Sequence, residues 1–191
     1  MNEFRGNLED EDNFHSIVEA LLFASDVPLS TQRISSLLEK VAPHQVEQII
    51  DELSEKYQQE NCSFSIRKVA GGYQMYTLPD FKSWIEKLLK VHQTQKLSPE
   101  ALEALAIIAY KQPVVKSEIE HIRGVDSDWV IRGRLEKNLI TIVGRKKSLG
   151  RPLLYGTTPE FLSYFGLNSI SDLPKIEELE ELMKQKECWD G

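Results

Sequence analysis

The 191-residue chain is 41% hydrophobic and 28% charged, a composition that excludes wholesale disorder and supplies apolar material for two compact cores. Its formal net charge of −7 excludes the broad positive field of a dedicated DNA-binding protein, although a local basic patch stays open. Cys62 and Cys188 stand far apart without CxxC or Cys/His spacing, so neither a disulfide framework nor a zinc site is expected.

In chain order, residues 1–12 set Glu3, Glu9, Asp10, Glu11 and Asp12 against Arg5 alone and read as a mobile acidic arm. That start lacks the basic opening and apolar core of a signal peptide, and no run nears the ~18 apolar residues that span a bilayer. A soluble cytoplasmic protein is expected. Phe14, Ile17, Val18, Leu21 and Leu22 recur at helical spacing up to Ala24, and Ser25-Asp26-Val27-Pro28 stops the helix. Ser30 caps a second helix with the stripe Ile34, Leu37 and Leu38, and Ala42-Pro43 leads into a third bearing Val46, Ile49, Ile50 and Leu53. From Phe64 the period becomes two, and Gly71-Gly72 turns the chain into residues 73–77, a hairpin or wing. Pro79-Asp80 opens a helix carrying Phe81, Trp84, Ile85, Leu88 and Leu89, which completes a first domain over residues 13–90. The polar stretch 91–96 reads as a linker.

Residues 97–158 repeat this order. Leu102, Leu105, Ala106, Ile108 and Ala109 mark a helix that breaks at Gln112-Pro113, and Ile119 and Ile122 mark another before Gly124-Val125. A third helix follows, then a strand at 140–143 with its hairpin return at 152–156. Phe23, Ala24, Pro28, Ile34 and Leu37 fall opposite Ile108, Ala109, Pro113, Ile119 and Ile122 at a constant shift of 85, which argues for a tandem duplication. A last short helix over 160–165 is stopped by Gly166, and the apolar ending 167–174 is expected to pack back on this second domain, 97–174. Residues 175–191 are expected to be an acidic, flexible tail, with Ile176, Leu179, Leu182 and Met183 at the spacing of a marginal amphipathic helix. The expected fold class is α+β, mainly α: two tandem winged helix-turn-helix domains joined by a short linker.

Enzyme signatures are missing: there is no Gly-rich phosphate loop, GxSxG, HExxH or EF-hand pattern. His15, His44, His92 and His121 are scattered, and His121, among Glu118, Glu120 and Arg123, reads as a solvated surface histidine. No catalytic residue, cofactor or metal is expected. A winged helix can serve DNA or protein. For a transcription regulator, Arg132, Arg134 and Lys137 on the third helix would join Arg145, Lys146, Lys147 and Arg151 on the wing as phosphate contacts. Glu136 interrupts that patch, and the first domain's third helix presents Gln45, Glu47, Gln48, Asp51, Glu52 and Glu55, so direct DNA binding is expected to be weak or absent. For a protein partner, the hairpin edge and the helix grooves are available. Trp129 fits a core position or a partner-binding anchor equally, and Leu154 and Tyr155 fit wing packing or contact.

Several stretches carry a resemblance: Leu97-Ser98-Pro99-Glu100-Ala101-Leu102-Glu103-Ala104-Leu105, Ile107-Ile108-Ala109-Tyr110-Lys111-Gln112-Pro113, and Glu118-Ile119-Glu120-His121-Ile122-Arg123-Gly124-Val125. Gly150-Arg151-Pro152-Leu153-Leu154-Tyr155-Gly156-Thr157-Thr158 adds to it, as do Phe161-Leu162, Tyr164-Phe165-Gly166-Leu167 and, in the first domain, Glu19-Ala20-Leu21-Leu22-Phe23-Ala24-Ser25. Together they resemble the bacterial segregation and condensation protein B family. The resemblance implies a non-enzymatic condensin subunit that forms a homodimer through its N-terminal winged helix. It also implies binding to a kleisin subunit, segregation and condensation protein A, and through it to the SMC ATPase. Chromosome condensation and partition during cell division, at the nucleoid in the cytoplasm, would follow.

Overall fold

The computed structural model describes residues 11–89, 97–175 and 178. The expected linker, most of the acidic arm and nearly all of the tail lie outside them. The chain divides into two compact units, Met1–Lys96 and Leu97–Gly191.

In the first unit α1 (Glu11–Ala24), α2 (Thr31–Leu38) and α3 (Pro43–Gln59) precede the hairpin of β1 (Phe64–Val69) and β2 (Gly72–Thr77). A 3-10 turn over Pro79–Phe81 then leads into α4 (Lys82–Leu89). The first helix begins at Glu11, inside the expected arm. Ser30 caps α2 by accepting from the Arg33 N–H at 3.2 Å. α3 has no hydroxyl cap; Pro43 sets its first turn, and Gln45 Oε1 accepts from the Ala42 N–H at 2.8 Å. Val18, Leu22, Ile34, Val46, Ile50 and Leu53 fill the core with Tyr57 and Tyr73. The Tyr57 hydroxyl donates to Glu19 Oε1 at 2.7 Å; burial first, then that carboxylate, pushes its pKa up. Leu37 leaves the expected stripe at 47% exposure, as Ile122 does in the second unit at 46%. Both helices at these positions are eight residues long, and each seats one fully buried side chain, Ile34 or Ile119.

The second unit runs α5 (Pro99–Lys111), β3 (Val114–Val115), α6 (Lys116–Arg123), α7 (Asp128–Glu136), β4 (Ile140–Arg145), β5 (Leu153–Thr157) and α8 (Pro159–Phe165). Ser98 and Thr158 cap α5 and α8, and Gly124 ends α6 with φ 71, a value few other residues adopt. The sheet order is β3-β5-β4, all antiparallel. Leu105, Ile108, Ile119, Ile131, Ile140, Tyr155 and Phe161 form the core. Leu162, Leu167 and Leu173 pack against it, and the Tyr110 hydroxyl donates to the Pro174 carbonyl at 2.7 Å, so the 167–174 ending does return to this unit.

The repeat is visible in three dimensions, with one correction. Leu29 bridges to Tyr73 in the first unit as Val114 pairs with Tyr155 in the second, and 114 − 29 is again 85. Within the first helices that shift fails: it sets Phe23, 80% exposed, against Ile108, which is fully buried. A shift of 87 instead pairs Val18 with Leu105 and Leu22 with Ala109, all buried, and aligns the helix ends Ala24 and Lys111. The turn before Pro28 is two residues longer than the turn before Pro113, so a shift anchored on the prolines rotates the preceding helix out of phase.

Candidate protein interface

In the second unit, a polar network fixes the start of α7. The Arg123 side chain, 4% exposed, pairs through Nε with Glu103 Oε2 on α5 at 2.9 Å and donates through Nη1 to Ser127 Oγ at 2.9 Å. Ser127 is fully buried, and its N–H donates to Glu120 Oε1 at 3.1 Å. Lys116 Nζ lies 2.9 Å from Asp128 Oδ1 and 3.4 Å from Glu120 Oε1. The hydrogen bond from Lys116 holds the Asp128 carboxyl below its ordinary range, and Asp128 in turn raises Lys116. Arg123→Ala should cost the second unit about 2 kcal/mol, because it strips a partner from buried Ser127 and unties α5 from the α6–α7 turn. Urea unfolding measures it, and Arg123→Lys should recover only part, since one ammonium cannot reproduce the guanidinium fork.

Trp129 projects from that fixed helix start and is 78% exposed, so it is a surface residue. Tyr155 is 8% exposed in the core, paired with Val114 on one side and Ile142 on the other. Leu154 is half-buried beside it. The three residues expected together are therefore two kinds: Trp129 faces outward, while Tyr155 is chiefly wing packing with Leu154 between.

The seven candidate cations do not form one patch. Arg134 is buried, and its Nε and Nη1 have no hydrogen-bond partner among the described residues. It lies one turn beyond Val130, on the face of α7 that enters the protein, which removes it from the expected outward patch. Arg132 is held by Asp128 at 3.1 Å and Lys146 by Glu118 at 2.6 Å, which lowers the Glu118 carboxyl. Arg145 turns back to the Arg151 carbonyl at 3.2 Å, while Lys137, Lys147 and Arg151 are exposed.

In the first unit the outward residues of α3, Gln45, Glu47, Gln48, Asp51, Glu52 and Glu55, are all exposed. Glu47 accepts from the Tyr73 hydroxyl at 2.8 Å and from Lys68 at 3.2 Å, and the Tyr73 bond leads in holding its carboxyl low. Between α1 and the hairpin runs a groove lined by Ser16, Glu19, Ala20, Phe23, Phe64 and Met75. α4 presents Trp84 and Leu88, 66% and 76% exposed. Helical spacing marks such side chains as apolar but does not show what covers them, so neither Phe23 nor α4 stood out in the sequence as surface. Among the described residues no cluster of His, Cys, Asp and Glu could hold a metal ion, and no helix is long and apolar enough to cross a membrane.

Residues 16–176 match the family model for the segregation and condensation complex subunit ScpB. The chain is 46% identical to segregation and condensation protein B of Moorella thermoacetica over 168 residues, 88% of this chain and 85% of that one. It is 41% identical to the protein of the same name from Clostridium tetani over 181 residues, 95% of both chains. A solved dimer of ScpB N-terminal domain complexed with ScpA peptide is 30% identical, covering 44% of this chain and 99% of that one, with a TM-score of 0.38. The family model and the identity to these relatives over most of the chain show that it belongs to the segregation and condensation complex subunit ScpB family.

Proposed function

We propose that this chain is a non-enzymatic subunit of the bacterial SMC condensin complex that dimerises through its N-terminal winged helix and binds the kleisin subunit, segregation and condensation protein A. Family membership supports that reading. In the geometry, one observation carries it: large apolar side chains face outward where the core does not need them, Trp129 on α7 and Phe23, Trp84 and Leu88 in the first unit. The helices that would read a DNA groove are acidic in the first unit and internally paired in the second, which sets the transcription-regulator reading behind it. Trp129 is the kleisin-contacting anchor, with Leu154 at the rim and Tyr155 holding the wing in shape. Residues 13–90 and 97–174 act as two domains joined by 91–96. The subunit works without cofactor in the cytoplasm, reaches the nucleoid through the SMC ATPase, and supports chromosome condensation and partition.

The test is gel filtration of the chain mixed with the central segment of the kleisin. One co-eluting complex, little weakened by moderate salt, is expected. Separate elution would refute the proposal, and duplex DNA affinity that falls steeply with salt in place of kleisin binding would favour the regulator.

A further inference from the structure

In the second unit the chain beyond the wing covers the outer side of α5. Phe161 enters the core, Leu162, Leu167 and Leu173 pack on the same cluster as Ile107, and Tyr110 is tied to Pro174. The first unit has the same order of elements but a different outcome. At the shift of 87, Ala106, Ile107 and Tyr110 become Glu19, Ala20 and Phe23, and these line the open groove between α1 and the hairpin. The helix that follows this wing, α4, does not close it. Among the described side chains of α4 none joins the first core, and Phe23, Trp84 and Leu88 are all left largely exposed. One unit thus holds both an uncovered apolar groove and an uncovered apolar helix, and the repeat identifies that helix as the element whose counterpart does the covering. Their charges also match: Glu19 lies in the groove, and Lys87 stands 4.6 Å over the Trp84 ring beside the apolar face.

We infer that two copies of the chain exchange α4, the Trp84 and Leu88 face of each seating in the α1–hairpin groove of the other. The contact is twofold and self-complementary. This rests on the reading that the chain dimerises through its first domain, and it names the surfaces that do so.

Light scattering on the full-length chain tests it, with Phe23→Asp damaging the groove and Leu88→Asp damaging the helix. Both sites are exposed, so circular dichroism should be unchanged. The wild type should be a dimer at micromolar concentration, and each variant should dissociate at least about tenfold more readily. Mixing the two variants should restore dimer, because the mixed pair keeps one intact helix–groove contact and each variant alone keeps none. A monomeric wild type would overturn the dimer reading itself. A wild-type dimer that tolerates both substitutions, or a mixture no tighter than its components, would overturn the exchange and leave the dimer reading standing. Loss of kleisin co-elution with the dimer intact would give the groove to the kleisin and also overturn the exchange.

Discussion

Tyr155→Ala should destabilise the second unit by about 3–5 kcal/mol, whereas Trp129→Ala should leave its unfolding free energy within about 0.5 kcal/mol. Tyr155 sits on β5, the middle strand of the sheet, and its ring is part of the cluster that joins α5, α6, β4 and α8. Truncation opens a cavity bounded by several elements that cannot all collapse into it. Trp129 has no such surroundings, being 78% exposed at the start of α7. In a kleisin-binding titration the order should reverse: Trp129→Ala should lower affinity by about tenfold or more, as loss of an aromatic anchor does, with the fold intact. Denaturant curves and the titration on the same two proteins settle the matter. Equal loss of stability in both would mean that Trp129 supports the fold.

The second large effect belongs to a glycine. A Cβ on Gly72 would stand 2.8 Å from the Leu29 carbonyl carbon, 2.9 Å from its oxygen and 3.0 Å from the Pro28 carbonyl carbon. All three are backbone atoms and cannot swing aside. Leu29 and Tyr73 exchange hydrogen bonds of 2.9 and 2.8 Å at this point, so Gly72→Ala would force the α1–α2 connection away from β2. A cost of about 2–3 kcal/mol to the first unit is expected, in the range of overpacked cores. Neighbouring Gly71 offers the control. Its φ is 76 and nothing lies within 4 Å of an added Cβ, so Gly71→Ala should cost only about 1–2 kcal/mol through the left-handed backbone, and Gly71→Asn less. Thermal unfolding of the three variants would show it; a Gly72→Ala protein as stable as Gly71→Asn would refute the close approach.

Features set by neighbours in the chain were legible in the sequence. Ser30 caps α2, and Gly124 and Gly166 end their helices because each signal is local, whereas the hairpin expected to turn at Gly71-Gly72 turns at Ala70 and Gly71, with Gly72 already paired to Val69 in β2. Features set by distant contacts were less so. β3 is two residues long, too short to show alternation, and exists because Val114 meets Tyr155. Arg134 looked like surface by its charge, and only its phase with Val130 on α7 betrays burial. Phe23 and Trp84 carry the same apolar pattern as core residues, and periodicity alone cannot say that their cover is missing. The candidate interface is therefore the least legible part of the molecule: it is defined by what the rest of the chain fails to bury.

β4 is an outer strand of its sheet, as β3 is on the other side, and the bulge that skips Val143 between Ile142 and Gly144 has a consequence for the protein in bulk. Ile142 and Val143 are about half exposed there, the kind of apolar edge on which chains stack into fibrils. The skipped residue breaks the hydrogen-bond register that an incoming strand would need, and the exposed Lys147 just beyond it is unfavourable against an identical edge. Edge-to-edge growth is disfavoured at its first step, so cross-β fibres are not expected even where many copies crowd together.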